Sequence, residues 1–373
     1  MQQFLLAHTT GIEPQALVDA CLEQIGEIPA DANLGFVYAT DALARSLGSI
    51  LDRLKAVTGI RHWVGTVGVA INCTGHEYYD EPALAVMIAG FPSDAFRILP
   101  NQTADPSAYA QSQEAWLRSH DSHLAVVHGD PTNADTPELM EGIATKIPEA
   151  FLTGGITSSQ SDQAQVADEL VHGGVSGVVF ADTVHAAVDH TQGCTPIGPP
   201  HRITYSRRNI VAELDDRPAL EVFKEEIGEV LAKDLRRVGG YIFAALPIPE
   251  SDTGDYMVRN LVGIDTGQEM LAIGDQLHQG GQMMFCRRDG NTAREDMLRM
   301  LERLRSRTGE QQPRGGLYFS CLGRGRHQFG EGSVELNMIR DALGDFPLVG
   351  FFANGEIFRN RLYGYTGVLT LFL

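Results

Sequence analysis

Between Tyr318 and Ser333 the chain reads YFSCLGRGRHQFGEGS, an apolar run that breaks into Cys321, Arg324, Arg326 and His327 spaced by glycines. A thiol, two guanidiniums and an imidazole so close in sequence suit a nucleophile beside a base, a cradle for an anion, or a polar turn. Gly323 and Gly325 let backbone N–H groups turn inward, and Arg324 then presents a planar fork to a carboxylate. A helix starting just beyond would add the favourable N-terminal end of its dipole. Arg326 is expected to face water.

The stretch GFFANGEIF supplies complementary chemistry. Asn354 and Gly355 form a turn pair, and Glu356 is a carboxylate within an otherwise apolar run. A buried glutamate needs a partner, which is either Arg324 of the same chain or the ammonium group of a ligand. If Arg324 and Glu356 both face a pocket, they match the two charged ends of a free amino acid. Tyr365 and Thr366 would add hydroxyl contacts, although strand packing accounts for them as well.

A second polar stretch, TQGCTPIGPPHRIT, is restricted by Gly193, Pro196, Gly198, Pro199 and Pro200 and should be an ordered loop. Cys194 and Arg202 are expected to line a cleft between two domains; the alternative is a rigid turn with a buried thiol. A catalytic role for Cys194 or Cys321 needs a nearby base or a positive microenvironment. No Asn or Asp that would orient a base is identifiable. Histidines 120, 123 and 128 are spread apart by a strand through Leu124 and Val126, and His185 and His190 point to opposite faces of an extended segment. Neither spacing fits zinc. The absence of CxxCH excludes covalent haem, while a b-type haem on a single axial histidine stays open.

These residues are carried by a unit that recurs three times. The first copy is LGFVYAT, a helix through Leu43, Leu47, Ile50, Leu51 and Leu54, then HWVGTVGVAI and ALAVMIAGF as strands. The second is HLAVVHGD, a helix near TPELMEGIATKI, AFLTGGITSS and VSGVVFAD. The third is GLYFSCLGRG, a helix from about Ser333 with Leu336, Ile339 and Leu343 on one face, FPLVGFFANGEI and YTGVLTLFL. Each reads as a right-handed parallel crossover closed by a hairpin. The expectation is an α/β protein of two domains, with mixed β-sheets built from repeated β-α-β-β units and helices packed on the sheets. Asp216 and Pro218 mark a helix start, which sets the domains at 1–217 and 218–373. In the second domain Met297, Met300, Leu301 and Leu304 form the buried face of a helix from about Asn291.

With 373 residues the chain exceeds what one core usually serves. Its formal charge of −19 argues against nucleic acid, whose binding depends on neutralising phosphates. Five scattered cysteines without a CxxC pair point to a reducing compartment, and no stretch reads as a signal peptide or membrane span. The cytoplasm is the expected location.

GLYFSCLGRG, PLVGFFANGEI and YTGVLTLF resemble the C-terminal half of the FIST family of bacterial sensory modules, and FLTGGITSS, VSGVVF and TQGCTPIGPPHRIT resemble its N-terminal half. The resemblance implies a small-ligand-binding protein of signal transduction, amino acids being the usual proposal for the family. One branch of similar length implies a haem-based nitric-oxide sensor. The family's last motif often carries a histidine where this chain has Tyr363-Gly364-Tyr365-Thr366, which puts an imidazole-dependent role in doubt. No output segment remains in the sequence, so a signal is expected to reach a separate protein partner. A cysteine-dependent enzyme is the alternative from another class.

Overall fold

The threefold pattern in the sequence is a threefold repetition in space. In the computed structural model, which describes residues 4–248, 256–309 and 311–373, the first copy opens with β1 (Leu5–Thr10), α1 (Pro14–Ile25) and β2 (Leu34–Thr40). It continues with α2 (Leu47–Thr58), β3 (His62–Gly68), a hairpin of β4 (Ala70–Cys73) and β5 (His76–Tyr79), and β6 (Ala83–Ala89). The second runs β7 (Phe96–Gln102), short helices α3 (Ser107–Ser112) and α4 (Glu114–Leu117), β8 (His123–Gly129) and α5 (Thr136–Lys146). Then follow β9 (Ala150–Ile156), the hairpin β10 (Gln165–Ala167) and β11 (Glu169–Val171), and β12 (Val175–Ala181).

The third copy begins with β13 (Ala186–Gln192) and is then interrupted. The interruption holds β14 (Cys194–Pro196), β15 (His201–Arg207), β16 (Ile210–Leu214), β17 (Arg217–Pro218) and α6 (Ala219–Ala232). It goes on through β18 (Ile242–Pro247), β19 (Tyr256–Asp265), β20 (Met270–Ile273) and β21 (Gln282–Arg288). The third copy resumes with α7 (Gly290–Thr308), β22 (Gly315–Cys321), α8 (Arg326–Phe329) and α9 (Val334–Leu343). Strands β23 (Leu348–Ala353), β24 (Glu356–Phe358), β25 (Arg361–Tyr363) and β26 (Thr366–Phe372) complete it.

In each copy two strands pair in parallel, β2 with β3, β8 with β9 and β22 with β23. The closing strand lies antiparallel on the other side of the first, and β1, β7 or β13 adds an outer edge. The hairpins are exchanged in a cycle: β10–β11 extends the first sheet beside β3, β24–β25 the second beside β9, and β4–β5 the third beside β23. Three glycines record the repetition. A Cβ on Gly65, Gly154 or Gly350 would sit 1.7, 1.8 or 1.8 Å from the carbonyl oxygen of its parallel partner, Val37, Val127 or Tyr318. Only glycine permits this approach.

One residue beyond those partners, Tyr38, His128 and Phe319 meet in the core, with ring centroids 5.6, 6.1 and 6.3 Å apart. Tyr38 Oη and His128 Nε2 are hydrogen-bonded at 3.1 Å. Burial lowers the His128 pKa to about 3, so the ring is neutral. On the far side of the first sheet, α1 and α2 bury Leu17, Val18, Cys21 and Ile25, and Leu47, Ile50, Leu51 and Leu54. The run HWVGTVGVAI, read as one strand, breaks at Val69, because β3 and β4 belong to different sheets.

The α/β class with mixed sheets and covering helices holds. The compact units divide the chain differently from a cut at 217/218: one is Met1–Gln192 with Asp296–Leu373, the other Gly193–Glu295. Strand β13 pairs along its whole length with β26, the last strand of the chain, so the smaller unit is an insertion within the third copy. In that unit β21, β15, β16, β20, β19 and β18 follow one another and β18 returns to β21, closing a ring. Helix α6 packs Leu220 and Phe223 into the same core as Val211, Leu271 and Phe285. Among the described residues no helix is long and apolar enough to cross a membrane.

Candidate functional site

Strand β22 ends at Cys321, and the turn beyond it carries Arg324 inward rather than outward. Arg324 is fully buried and pairs with Glu335 of α9, Nη2 to Oε1 at 2.6 Å and Nε to Oε1 at 2.8 Å. Glu335 also accepts from Tyr318 Oη at 2.5 Å, Ser320 Oγ at 3.1 Å and the Gly325 amide at 3.1 Å. Gly325 makes that last bond with φ of 52°, and a Cβ there would fall 1.9 Å from Tyr79 Oη. Donors from Arg324, Tyr318, Ser320 and Gly325 thus converge on one buried carboxyl group, which faces the guanidinium.

Two further carboxyls adjoin this pair. Glu356 is fully buried at the start of β24, and its Oε2 accepts from the Thr366 amide at 3.1 Å and Thr366 Oγ1 at 2.7 Å. Burial pushes its pKa up to about 8, against the opposing effects of the Thr366 bonds and the Arg324 charge. Glu77 on β5 is likewise raised to about 8, first by burial and then by the charge of Glu335. One guanidinium therefore stands among three carboxyls, of which Glu356 and Glu77 hold protons at neutral pH. Arg324 Nη1, Glu356 Oε1 and Glu77 Oε1 are buried and have no conventional hydrogen-bond partner among the described residues. The Cys321 thiol is a weak donor beside Glu356, and burial followed by the Glu356 charge pushes its pKa up. That environment disfavours a thiolate nucleophile.

Of the eight residues singled out in the sequence, Cys321, Arg324, Glu356 and Thr366 belong to this centre. Arg324 takes Glu335 as its salt-bridge partner, where the sequence had suggested Glu356. Tyr365 is half-buried with its ring against Gly323, and Asn354 is exposed while its amide donates to the Ile156 carbonyl. Cys194 and Arg202 lie in the inserted unit. Cys194 is buried in β14, where its carbonyl accepts from Tyr256 Oη at 2.5 Å. Arg202 is exposed and pairs with Asp216 at 3.1 Å. Sequence reasoning missed Glu335, Glu77, Tyr318 and Ser320. Glu335 did carry a signal: it precedes Ile339 and Leu343 at four-residue steps, a carboxylate on an apolar helical face.

The other two copies show what is special here. Gln165 pairs with Thr66, the residue after Gly65, just as Glu356 pairs with Gly155, the residue after Gly154. Gln165 is neutral and fully engaged, donating to the Gly174 carbonyl at 2.9 Å and accepting from Ser176 Oγ at 2.6 Å. The first copy places Ile71 opposite Phe351 at the same point. The strand-end counterparts of Cys321 are Thr40 and Asp130. They hold local backbone, Thr40 Oγ1 donating to the Glu81 carbonyl at 2.8 Å and Asp130 accepting from the Gly173 amide at 2.7 Å. Only the third copy builds an ionic centre at this position.

A surface groove of about 600 Å³ in the larger unit is lined by Lys55, Tyr109, Ser112, Gln113, Asp168 and Glu169 among others. Tyr109 Oη is buried there without a partner among the described residues. A second hollow of about 360 Å³ lies along α6. No histidine lines either, and His128 is enclosed by aromatic rings. No group of three or more His, Cys, Asp or Glu among the described residues could hold a metal ion.

Two family models together cover nearly the whole chain. Residues 33–217 match the FIST N domain and residues 219–359 the FIST C domain. The uncharacterized protein Rv0628c of Mycobacterium tuberculosis is 30% identical over 372 residues, 93% of this chain and 95% of that protein. The uncharacterized protein Mb0898c of Mycobacterium bovis is 31% identical over 386 residues, 98% of this chain and 97% of that one. FIST domains are associated with sensing and signal transduction. A structure of PurLQS from Thermotoga maritima aligns at 12% identity over 99% of this chain and 72% of that one, with a TM-score of 0.24.

Proposed function

Because the chain belongs to the FIST family, we propose that it is a sensory protein that binds a small polar ligand, an amino acid or similar metabolite, and signals through a separate partner. The observation behind this reading is the pair of unmatched groups in the third copy. Arg324 Nη1 offers a donor, and Glu356 Oε1 becomes an acceptor once its proton passes to a ligand amine; both groups are buried beside a strand end. A carboxylate and an ammonium on one small molecule would answer them. Both side chains are fully enclosed, so a ligand reaches them only through an opened conformation. Binding then favours one conformation over another, which is the physical requirement for a sensor.

Tryptophan-monitored melting in the presence of free amino acids, simple amines and simple carboxylates tests this. A ligand of the centre raises the melting temperature by mass action, and Glu356→Gln removes the shift. No shift across the panel counts against the proposal. The groove at Lys55 is the second reading, favoured by its volume and by the unpartnered Tyr109 hydroxyl. A response lost in Lys55→Ala but kept in Glu356→Gln selects it.

A further inference from the structure

The inserted unit contains two thiols that the ligand-binding reading leaves unused. Cys194 begins β14, the strand by which the chain enters this unit, and Cys286 lies on β21, the last strand before α7. The two strands are antiparallel neighbours in which Pro196 stands opposite Cys286 and Cys194 opposite Arg288. Cys194 and Cys286 are thus diagonal neighbours on one face of the sheet. Their thiols lie close enough to influence each other, and both are buried. All five cysteines are free.

We propose that Cys194 and Cys286 are a modification site, converted to an intramolecular disulfide by a two-electron oxidant such as hydrogen peroxide. One sulfur attacks a peroxide oxygen, giving a sulfenic acid and releasing water. The second sulfur then displaces the sulfenic oxygen, which leaves as a second water, and the S–S bond forms. Two thiols and one peroxide become one disulfide and two waters; the thiols are oxidised and the peroxide is reduced.

Two features of the fold give this pair its character. β14 has three residues and pairs only with β21, so it is a short edge strand that opens locally at lower cost than the ring behind it. That opening admits the oxidant. Diagonal neighbours lie further apart than the Cα separation a relaxed disulfide prefers, so the bridge forms only as β14 shifts against β21 and is readily reduced again. The neighbouring Cys194 thiol, together with burial, pushes the Cys286 pKa up, which makes bridging slow at neutral pH and faster as pH rises. Once formed, the bond fastens the edge strand to β21, joining the segments by which the chain enters and leaves the insertion.

The test is peptide mapping of the full reduced chain after peroxide treatment, with unreacted thiols alkylated under denaturing conditions. The expected product is a 194–286 bridged peptide, with Cys21, Cys73 and Cys321 still alkylated and the bridge undone by dithiothreitol. Bridging accelerates with pH and disappears in Cys286→Ser. Absence of the bridged peptide from wild-type protein, bridging to another cysteine, or oxidation of either thiol only to sulfinic acid overturns the proposal. The wild-type map decides the matter even if the serine variant folds poorly.

Discussion

Glu356→Gln isolates the cost of a buried carboxyl. In the folded chain this group's pKa is raised from 4.5 to about 8, chiefly by burial. Between those values the unfolded state is ionised while the folded state keeps its proton, so the folded state binds more protons and stability falls as pH rises. The loss is complete above the folded pKa. A shift of this size corresponds to about 5 kcal/mol, at roughly 1.4 kcal/mol per pKa unit. Glutamine keeps an oxygen for the Thr366 amide and Oγ1 but has nothing to titrate. The second copy already places a glutamine, Gln165, at the corresponding position. Trp63 and Trp116, the only tryptophans, both lie in the larger unit, so urea unfolding followed by their fluorescence reports on the unit that holds Glu356. Wild-type stability should drop between about pH 5 and about pH 9, and the variant should drop by several kcal/mol less. Glu77 contributes a fall of the same sign that both proteins share. Parallel pH profiles for wild type and variant would refute the claim that Glu356 folds with its proton on.

Three other expectations rest on separate contacts. Glu335→Ala leaves the buried Arg324 guanidinium without its counter-ion and should cost roughly 3–5 kcal/mol in the same unfolding assay; a loss under about 1 kcal/mol would mean the pair is solvated. Gly325→Ala sets a methyl against Tyr79 Oη at a left-handed backbone position, and should lower stability by about 1–3 kcal/mol, where an unchanged denaturation midpoint would contradict the packing. Tyr38→Phe strands the His128 ring nitrogen and should cost about 1–3 kcal/mol. Adding His128→Phe makes that corner match Phe319 and should recover most of the loss, so a double variant no better than the single would dispose of this account.

Local pattern was enough for much of the fold. The apolar strands, the helical stripes ending at Gly59 or Leu343, and the polar turn after Cys321 all follow from the period of burial and from residues with special backbone freedom. The threefold recurrence was legible for the same reason, since each copy repeats the same order of periods. Glu356 was conspicuous as a carboxylate in an apolar run, and Glu335 carried the same signal on a helix.

Tertiary structure alone decided who meets whom. Nothing local shows that β4–β5 leaves its own copy to extend the third sheet, or that β13 waits for the last strand of the chain while a whole unit intervenes. The same holds for Arg324, whose sequence offered two plausible acids. Helix α9 delivers Glu335 to it, and Thr366 at the start of β26 engages Glu356. Side-chain period reveals that a residue is buried, because burial recurs along one element. Its partner is set by the packing of elements far apart in the chain, and that information is not periodic.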